Sequence, residues 1–229
     1  MVDVMGIFAH PDDPEFSAGG TFARWAREGR EVMYVILTDG SKGTDDIELA
    51  GERLARIRVE EQREAARILG VKDVLFLGYE DGVLQPTIEL RRELVRIIRL
   101  YRPQWVVCPD PTARYLADRY INHPDHVAAG EVTLAAIFPA ARNRPTFPEL
   151  LKQGLDVHTV EEVYLSGPRE PNFFVDISET LELKVRALRA HRTQVGERPV
   201  HEFVTRWAEE VGKLAGVPYA EAFRRIRLV

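Results

Sequence analysis

The sequence predicts an α/β fold with a mostly parallel sheet flanked by helices, and three observations carry that prediction. Short β-branched apolar runs alternate with helix-period patterns along most of the chain. Gly29, Gly70, Pro103 and Pro139 sit where four of the helical patterns stop. The 229 residues show no solenoid-period repeat and no low-complexity linker, which suits a single domain over 1–229.

Residues 4–9 read as a first strand and 32–37 as a second, both short and β-branched. Between them, 16–28 has helical spacing through Phe16, Phe22, Trp25 and Ala26 and stops at Gly29. Residues 54–69 form a helix with Leu54, Ile57, Ala65, Ile68 and Leu69 as its apolar stripe, ended by Gly70. A third strand covers 74–77. A helix over 88–101 stops before Pro103, and a fourth strand, 105–108, runs into Pro109-Asp110-Pro111. The polar stretch 112–122 is a long loop. Pro124 opens a helix that reaches about Ala140, and prolines 139, 145 and 148 punctuate a loop-rich segment to His158. Later strands are expected at 162–165 and 173–177, then a helix over 178–191 with Ser178 as its N-cap. The tail from Glu202 onward is expected to be helical and broken at Pro218.

Hydrophobic residues make up 45% and charged residues 29%, the balance of a chain that folds around a core. The net charge of −5 offers no basic face, so nucleic acid is not an expected partner. The longest apolar runs are strand-sized and no basic lead-in precedes Asp3, so neither a membrane span nor a secretory signal is expected. A single cysteine, Cys108 at the end of an apolar run, excludes an internal disulfide framework and any multi-cysteine zinc site. A cytoplasmic location and a buried, inert thiol are the expectations.

The chemistry lies in a repeated tripeptide. His10-Pro11-Asp12 and His123-Pro124-Asp125 are both present, whereas composition predicts roughly 0.02 copies of His-Pro-Asp. Each copy carries a further metal-competent residue, Asp13 after the first and His126 after the second. His10 follows the first strand, while Asp39 and Asp110 follow the second and fourth. In an open α/β sheet those carboxyl ends share one rim, where ligands bind. A catalytic zinc takes about three protein ligands and leaves a position for water. His10, Asp13 and His126 supply two imidazoles and a carboxylate, leaving Asp12 as a candidate base and His123 as a donor to an oxyanion or leaving group. Asp125 can orient a histidine through its second nitrogen.

His10-Pro11-Asp12-Asp13-Pro14-Glu15 with Asn122-His123-Pro124-Asp125-His126 resembles the LmbE-like, or PIG-L, family of N-acetylglucosaminyl deacetylases. The resemblance extends through Leu37-Thr38-Asp39-Gly40, Arg58-Val59-Glu60-Glu61 with Ala65, and Lys184 with His191-Arg192-Thr193-Gln194. It implies a Rossmann-like sheet and a zinc-dependent hydrolase that removes an N-acyl group, usually acetyl, from an amino sugar or related small polar molecule. It further implies that His10, Asp13 and His126 hold the metal, that Asp12 is the general base, that His123 stabilises the oxyanion or acts as acid, and that Arg58 touches substrate. Self-association is implied as well. After Gly40 this chain has Ser41 and Lys42 where many relatives carry acidic residues, and its 112–122 loop, with Tyr115 and Tyr120, is longer than in the thiol-cofactor branch.

Bland alternatives stand beside these roles. Asp39 and Asp110 either bind substrate hydroxyls or satisfy turn amides. His191 is either a residue at the edge of the site or a satisfied buried histidine. His158 and His201 are read as surface residues. Two histidines and a carboxylate also describe mononuclear non-haem Fe2+ enzymes, although the α/β alternation argues against an oxygenase barrel. A non-catalytic ligand-binding protein on the same fold is the third reading, which an intact set of five polar residues disfavours.

Overall fold

The computed structural model describes residues 1–116 and 120–229. Eight of the strands and helices set up the site: β1 (Val4–Phe8), α1 (Asp13–Arg27), β2 (Val32–Thr38), α2 (Glu52–Leu69), β3 (Asp73–Tyr79), α3 (Ile88–Tyr101), β4 (Trp105–Pro109) and, after a two-stranded ribbon, α4 (Pro124–Ile137). That ribbon pairs β5 (Tyr115–Leu116) antiparallel with β6 (Tyr120–Ile121), within the span expected to be loop. Residues 117–119 of that span lie outside the described residues. The chain continues through α5 (Pro148–Lys152), β7 (Glu162–Ser166), β8 (Phe173–Asp176), α6 (Leu181–Ala190), α7 (Arg192–Val195), α8 (Val200–Ala215) and β9 (Ala220–Arg227).

Seven strands form one sheet in the order β3-β2-β1-β4-β7-β9-β8. The first five run parallel, while β9 is antiparallel to both β7 and β8. Side-chain alternation sorts the core into two layers. Met33, Val35 and Leu37 of β2 face the layer shared with α3 and α4, and Val32, Tyr34 and Ile36 face the layer shared with α1, α2 and α6. Gly6 sits at the crowded centre of the second layer, where a Cβ would come within 3.0–3.1 Å of Phe22, Phe8 and Tyr34. The chain winds from β1 out to β3 and then crosses to β4 on the other side of β1. This reversal opens a crevice at the carboxyl ends of β1 and β4.

Four sequence expectations are corrected. Residues 220–227 are a strand, not the continuation of a helix; Gly216, in the left-handed region, ends α8, and the chain returns between β7 and β8. The helix opened by Pro124 stops at Ile137, because Phe138 precedes Pro139 and takes an extended conformation. Thr180, not Ser178, stands at the N-cap of α6; the Ser178 hydroxyl donates to Asp176 at 2.6 Å. His158 is half-buried and donates from Nε2 to the Pro103 carbonyl at 2.7 Å, whereas His201 is exposed as expected.

Candidate active site

The crevice holds a cavity of about 530 Å³. His10, Asp12, Asp13, His123, His126 and Arg58 all line it, so residues more than a hundred positions apart meet there. The turn after β1 delivers the first group. Asp12 has φ 97° and ψ −28°, a left-handed conformation rare outside glycine, asparagine and aspartate. Its N–H donates to Gln62 Oε1 at 2.8 Å, and its carbonyl accepts from Glu15 and Phe16 to start α1. Gln62 donates in turn to both Glu15 oxygens, at 3.0 and 3.1 Å, and Glu15 pairs with His191 Nε2 at 3.1 Å. Gln62, Glu15 and His191 are all buried. His191 is thus a satisfied interior histidine that helps to hold the Asp12 turn.

The second group sits at the start of α4. Asn122 donates from Nδ2 to the Ala113 carbonyl at 2.8 Å, which fixes its Oδ1 as an acceptor. That oxygen lies 3.0 Å from His126 Nδ1, so Nδ1 carries the proton and Nε2 presents its lone pair. His10 is oriented in the opposite sense. Its Nε2 lies 3.1 Å from Asp81 Oδ1 and 3.2 Å from Asp125 Oδ2, so Nε2–H donates and Nδ1 is free to ligate.

The two lone pairs, on His10 Nδ1 and His126 Nε2, face each other across 3.3 Å. The Asp13 carboxylate closes the triangle, 3.3 Å from His10 and 3.0 Å from His126. Such a cluster suits a cation. For a tetrahedral ion with bonds of about 2.0–2.1 Å, ligand atoms stand roughly 3.3 Å apart, so the donor set fits one. His10, His123 and Asp125 also lie close enough to share an ion. However, Asp125 is occupied by the Gly82 and Leu84 N–H groups at 2.8 and 3.1 Å, and His123 Nδ1 accepts from Asp125 N at 3.2 Å. The first triad has the open coordination.

The local field agrees. Burial works against charge on His10 and His126, yet Asp13 and its neighbours outweigh it and hold both imidazoles above their ordinary pKa. Burial likewise opposes ionisation of Asp13, but His126 and His10 hold that carboxyl well below the usual range. Asp81 is held to about 2 against burial, chiefly by His10 and the Lys42 N–H. Asp12 goes the other way: burial, and then the charge of Asp13, push it up to about 7. Its Oδ2 is buried without a partner, a proton acceptor left unengaged. At His123, burial first and then His10 depress the imidazole, and its Nδ1 already accepts, so the neutral ring offers an Nε2–H.

Arg58 is buried against the loop after β2, donating to the Gly43 carbonyl at 3.0 Å and to Gln194 Oε1. A Cβ at Gly43 would lie 2.5 Å from the guanidinium, so glycine lets the loop lie on it. Asp39 and Asp110 line no part of the cavity. Asp39 accepts from Ser41 N and Asp81 N at 3.0 and 3.3 Å, and Asp110 from Thr112 N and Oγ1 at 2.8 and 2.7 Å. Of the two readings the sequence left open, these carboxylates take the turn-building one and make no part of the cavity wall. Cys108 is fully buried and its thiol is pushed far up by burial, as an inert cysteine should be. Asp81, Asn122 and Gln62 carry positioning work that the motifs did not assign. Asp81 shares the rim position that drew attention to Asp39 and Asp110, and Asn122 lies one helical turn before His126. Gln62 gave no signal within a helix rich in charge.

Fold and site together define a class: α/β proteins whose sheet rim carries an open two-histidine, one-carboxylate metal-type centre with a spare carboxylate beside it. Residues 5–137 match the family described as PIG-L: GlcNAc-PI de-N-acetylase. The chain is similar to diacetylchitobiose deacetylase of Thermococcus kodakarensis, 39% identical over 96% of this chain and 82% of that protein. It is also similar to the probable N-acetyl-alpha-D-glucosaminyl L-malate deacetylase 2 of Bacillus anthracis, 30% identical over 83% and 80%. Among solved structures, N,N'-diacetylchitobiose deacetylase of Pyrococcus horikoshii superimposes with a TM-score of 0.91 at 35% identity, covering 98% of this chain and 84% of that one. The chain belongs to the PIG-L, or LmbE-like, family, whose deacetylases are metal-dependent.

Proposed function

We propose that this protein is a zinc-dependent N-deacetylase that hydrolyses the acetamido group of an amino sugar, with residues 1–229 acting as one cytoplasmic domain. The observation that carries the reading is the pair of histidine lone pairs facing each other across 3.3 Å, closed by Asp13, with the unpartnered Asp12 carboxylate alongside. The substrate class is supported by the similar proteins, which are named for N-acetylated sugars. No helix among the described residues is long and apolar enough to cross a membrane.

His10, Asp13 and His126 would hold the ion, which when bound acidifies a water and polarises an amide carbonyl. Asp12 Oδ2 takes the proton of the attacking water; the raised pKa of its carboxyl matches a base working near neutral pH. His123 Nε2–H donates toward the carbonyl oxygen, where negative charge grows in the tetrahedral state. The proton on Asp12 then serves the departing amine. Arg58, pinned by Gly43 and Gln194, presents donors to sugar oxygens from the side wall. Asp125 keeps His10 in its ligating tautomer from behind.

In the zinc-loaded enzyme, Asp12→Asn leaves metal content at one ion per chain and lowers acetate release from N,N'-diacetylchitobiose about 10²–10⁴-fold. Plasma emission and an acetate assay read the two. Parental turnover by that variant removes Asp12 from its role, and absence of bound metal in the parent removes the reading itself.

A further inference from the structure

Three buried groups lie behind the site and take no part in the chemistry assigned to it: Glu15 of α1, Gln62 of α2 and His191, between α6 and α7. They converge on the turn His10-Pro11-Asp12-Asp13. Asp13 N–H donates to the His10 carbonyl at 3.3 Å, and Asp12, the third residue of that turn, has φ 97° and ψ −28°. This is the third-position geometry of a type II turn, where glycine or asparagine is usual. A type I turn also favours proline second, and it takes most residues third without strain. The two forms differ by a flip of the peptide between Pro11 and Asp12. That flip reverses the Asp12 N–H and shifts the Asp12 side chain relative to Asp13. Asp12 Oδ2 is buried without a partner, so its direction is set through the backbone.

Gln62 holds one of the two states. Its Oε1 accepts from Asp12 N–H at 2.8 Å, and its Nε2 donates to the Glu15 oxygens at 3.0 and 3.1 Å. A carboxylate only accepts, so Glu15 fixes which end of the amide faces Asp12. His191 Nε2, 3.1 Å from Glu15 Oε2, supplies a further donor. Glu15 N–H returns to the Asp12 carbonyl at 3.0 Å, and three hydrogen bonds thereby close a ring through Asp12, Gln62 and Glu15. Gln62 and Glu15 are fully buried, out of reach of bulk water that could replace a lost link.

We propose that Gln62, locked by Glu15 and His191, is a positioning residue that selects the flipped peptide and so aims the Asp12 carboxylate at the attacking water. The proposal rests on the N-deacetylase reading and deepens it, adding a part that touches neither ion nor substrate. Gln62 therefore acts on kcat and leaves KM and zinc content to other groups.

The test uses two variants of the full chain. Gln62→Met keeps the bulk and removes both hydrogen bonds, while the swapped variant, Glu15→Gln with Gln62→Glu, remakes them with amide and carboxylate exchanged. With zinc and N,N'-diacetylchitobiose, Gln62→Met should lower kcat about 10–100-fold, with KM within about twofold of the parent. Its zinc content, by plasma emission, should match the parent's, and the swapped variant should recover kcat to within about fivefold. Hydrogen exchange at the Asp12 amide, followed by NMR before zinc is added, reads the turn without turnover. It should be slow in the parent and the swapped variant and at least about tenfold faster in Gln62→Met. Parental kcat in folded Gln62→Met, or kcat and zinc lost together, overturns the positioning role. So does a swapped variant that fails to fold or works no better than Gln62→Met. Where Gln62→Met itself does not fold, the kcat of the swapped variant against the parent decides alone. If the zinc-loaded parent releases no acetate, the N-deacetylase reading falls, and the amide exchange still decides whether Gln62 holds the turn.

Discussion

Single side chains at the rim act mostly by dictating where protons sit on others. Asn122 illustrates this: its amide is locked by the Ala113 carbonyl, and the lock decides which nitrogen of His126 is free. Replacing it should weaken the centre without touching a ligand. Asn122→Ala is expected to lower zinc affinity about 10–100-fold, as loss of an outer hydrogen bond to a ligating histidine does. Competition with a chromophoric chelator measures this, and unchanged affinity would mean that the tautomer is fixed elsewhere. The His-Pro-Asp repeats made His10, Asp12, Asp13, His123 and His126 legible because five metal-competent side chains in two short motifs have no bland explanation. Asn122, Asp81 and Gln62 escaped because each works through a partner that only folding supplies. Asp39 and Asp110 follow the plainer of their two readings: the rim position is as expected, and turn amides engage their oxygens.

At the level of elements, the least legible is β9. Its sequence from Ala220 to Arg227 carries three arginines and a glutamate and shows no apolar alternation. The structure explains the glutamate. Glu221 is buried, accepts from Gly20 and Thr21 N–H at 3.1 and 2.8 Å, and pairs with Lys184 Nζ at 2.6 Å, joining β9 to α1 and α6. Arg225 lies over the Phe173 ring of β8 at 4.1 Å. A strand that earns burial through charge pairing cannot be read by hydrophobic period. Glu221→Leu strands the Lys184 ammonium and should cost about 3–5 kcal/mol in denaturant unfolding. The double variant Glu221→Leu, Lys184→Met should recover much of that loss, and additive losses would contradict a pairwise role. The central strands β1, β2 and β4, by contrast, were legible because burial on both faces makes them continuous apolar runs.

Across the molecule, pH links stability to a contact away from the candidate metal site. His158 ties the end of α3 to the approach to β7, donating from Nε2 to the Pro103 carbonyl and from its backbone N–H to the Ala141 carbonyl at 3.0 Å. Burial depresses its imidazole below the ordinary 6.5 of an unfolded chain. The unfolded state then binds a proton first as pH falls, so this contribution is complete above the unfolded value and is lost as pH drops through it toward the folded one. His158→Gln should flatten that part of the profile, read from urea midpoints between about pH 5 and 7.5. A profile unchanged by the substitution would assign the slope to other groups.

The winding that puts β4 beside β1 has a consequence for biosynthesis. The candidate ligands His10 and His126 lie 116 positions apart in the chain. If these histidines hold the ion as proposed, firm chelation waits for the central strands to register, and ion uptake then reports completed assembly.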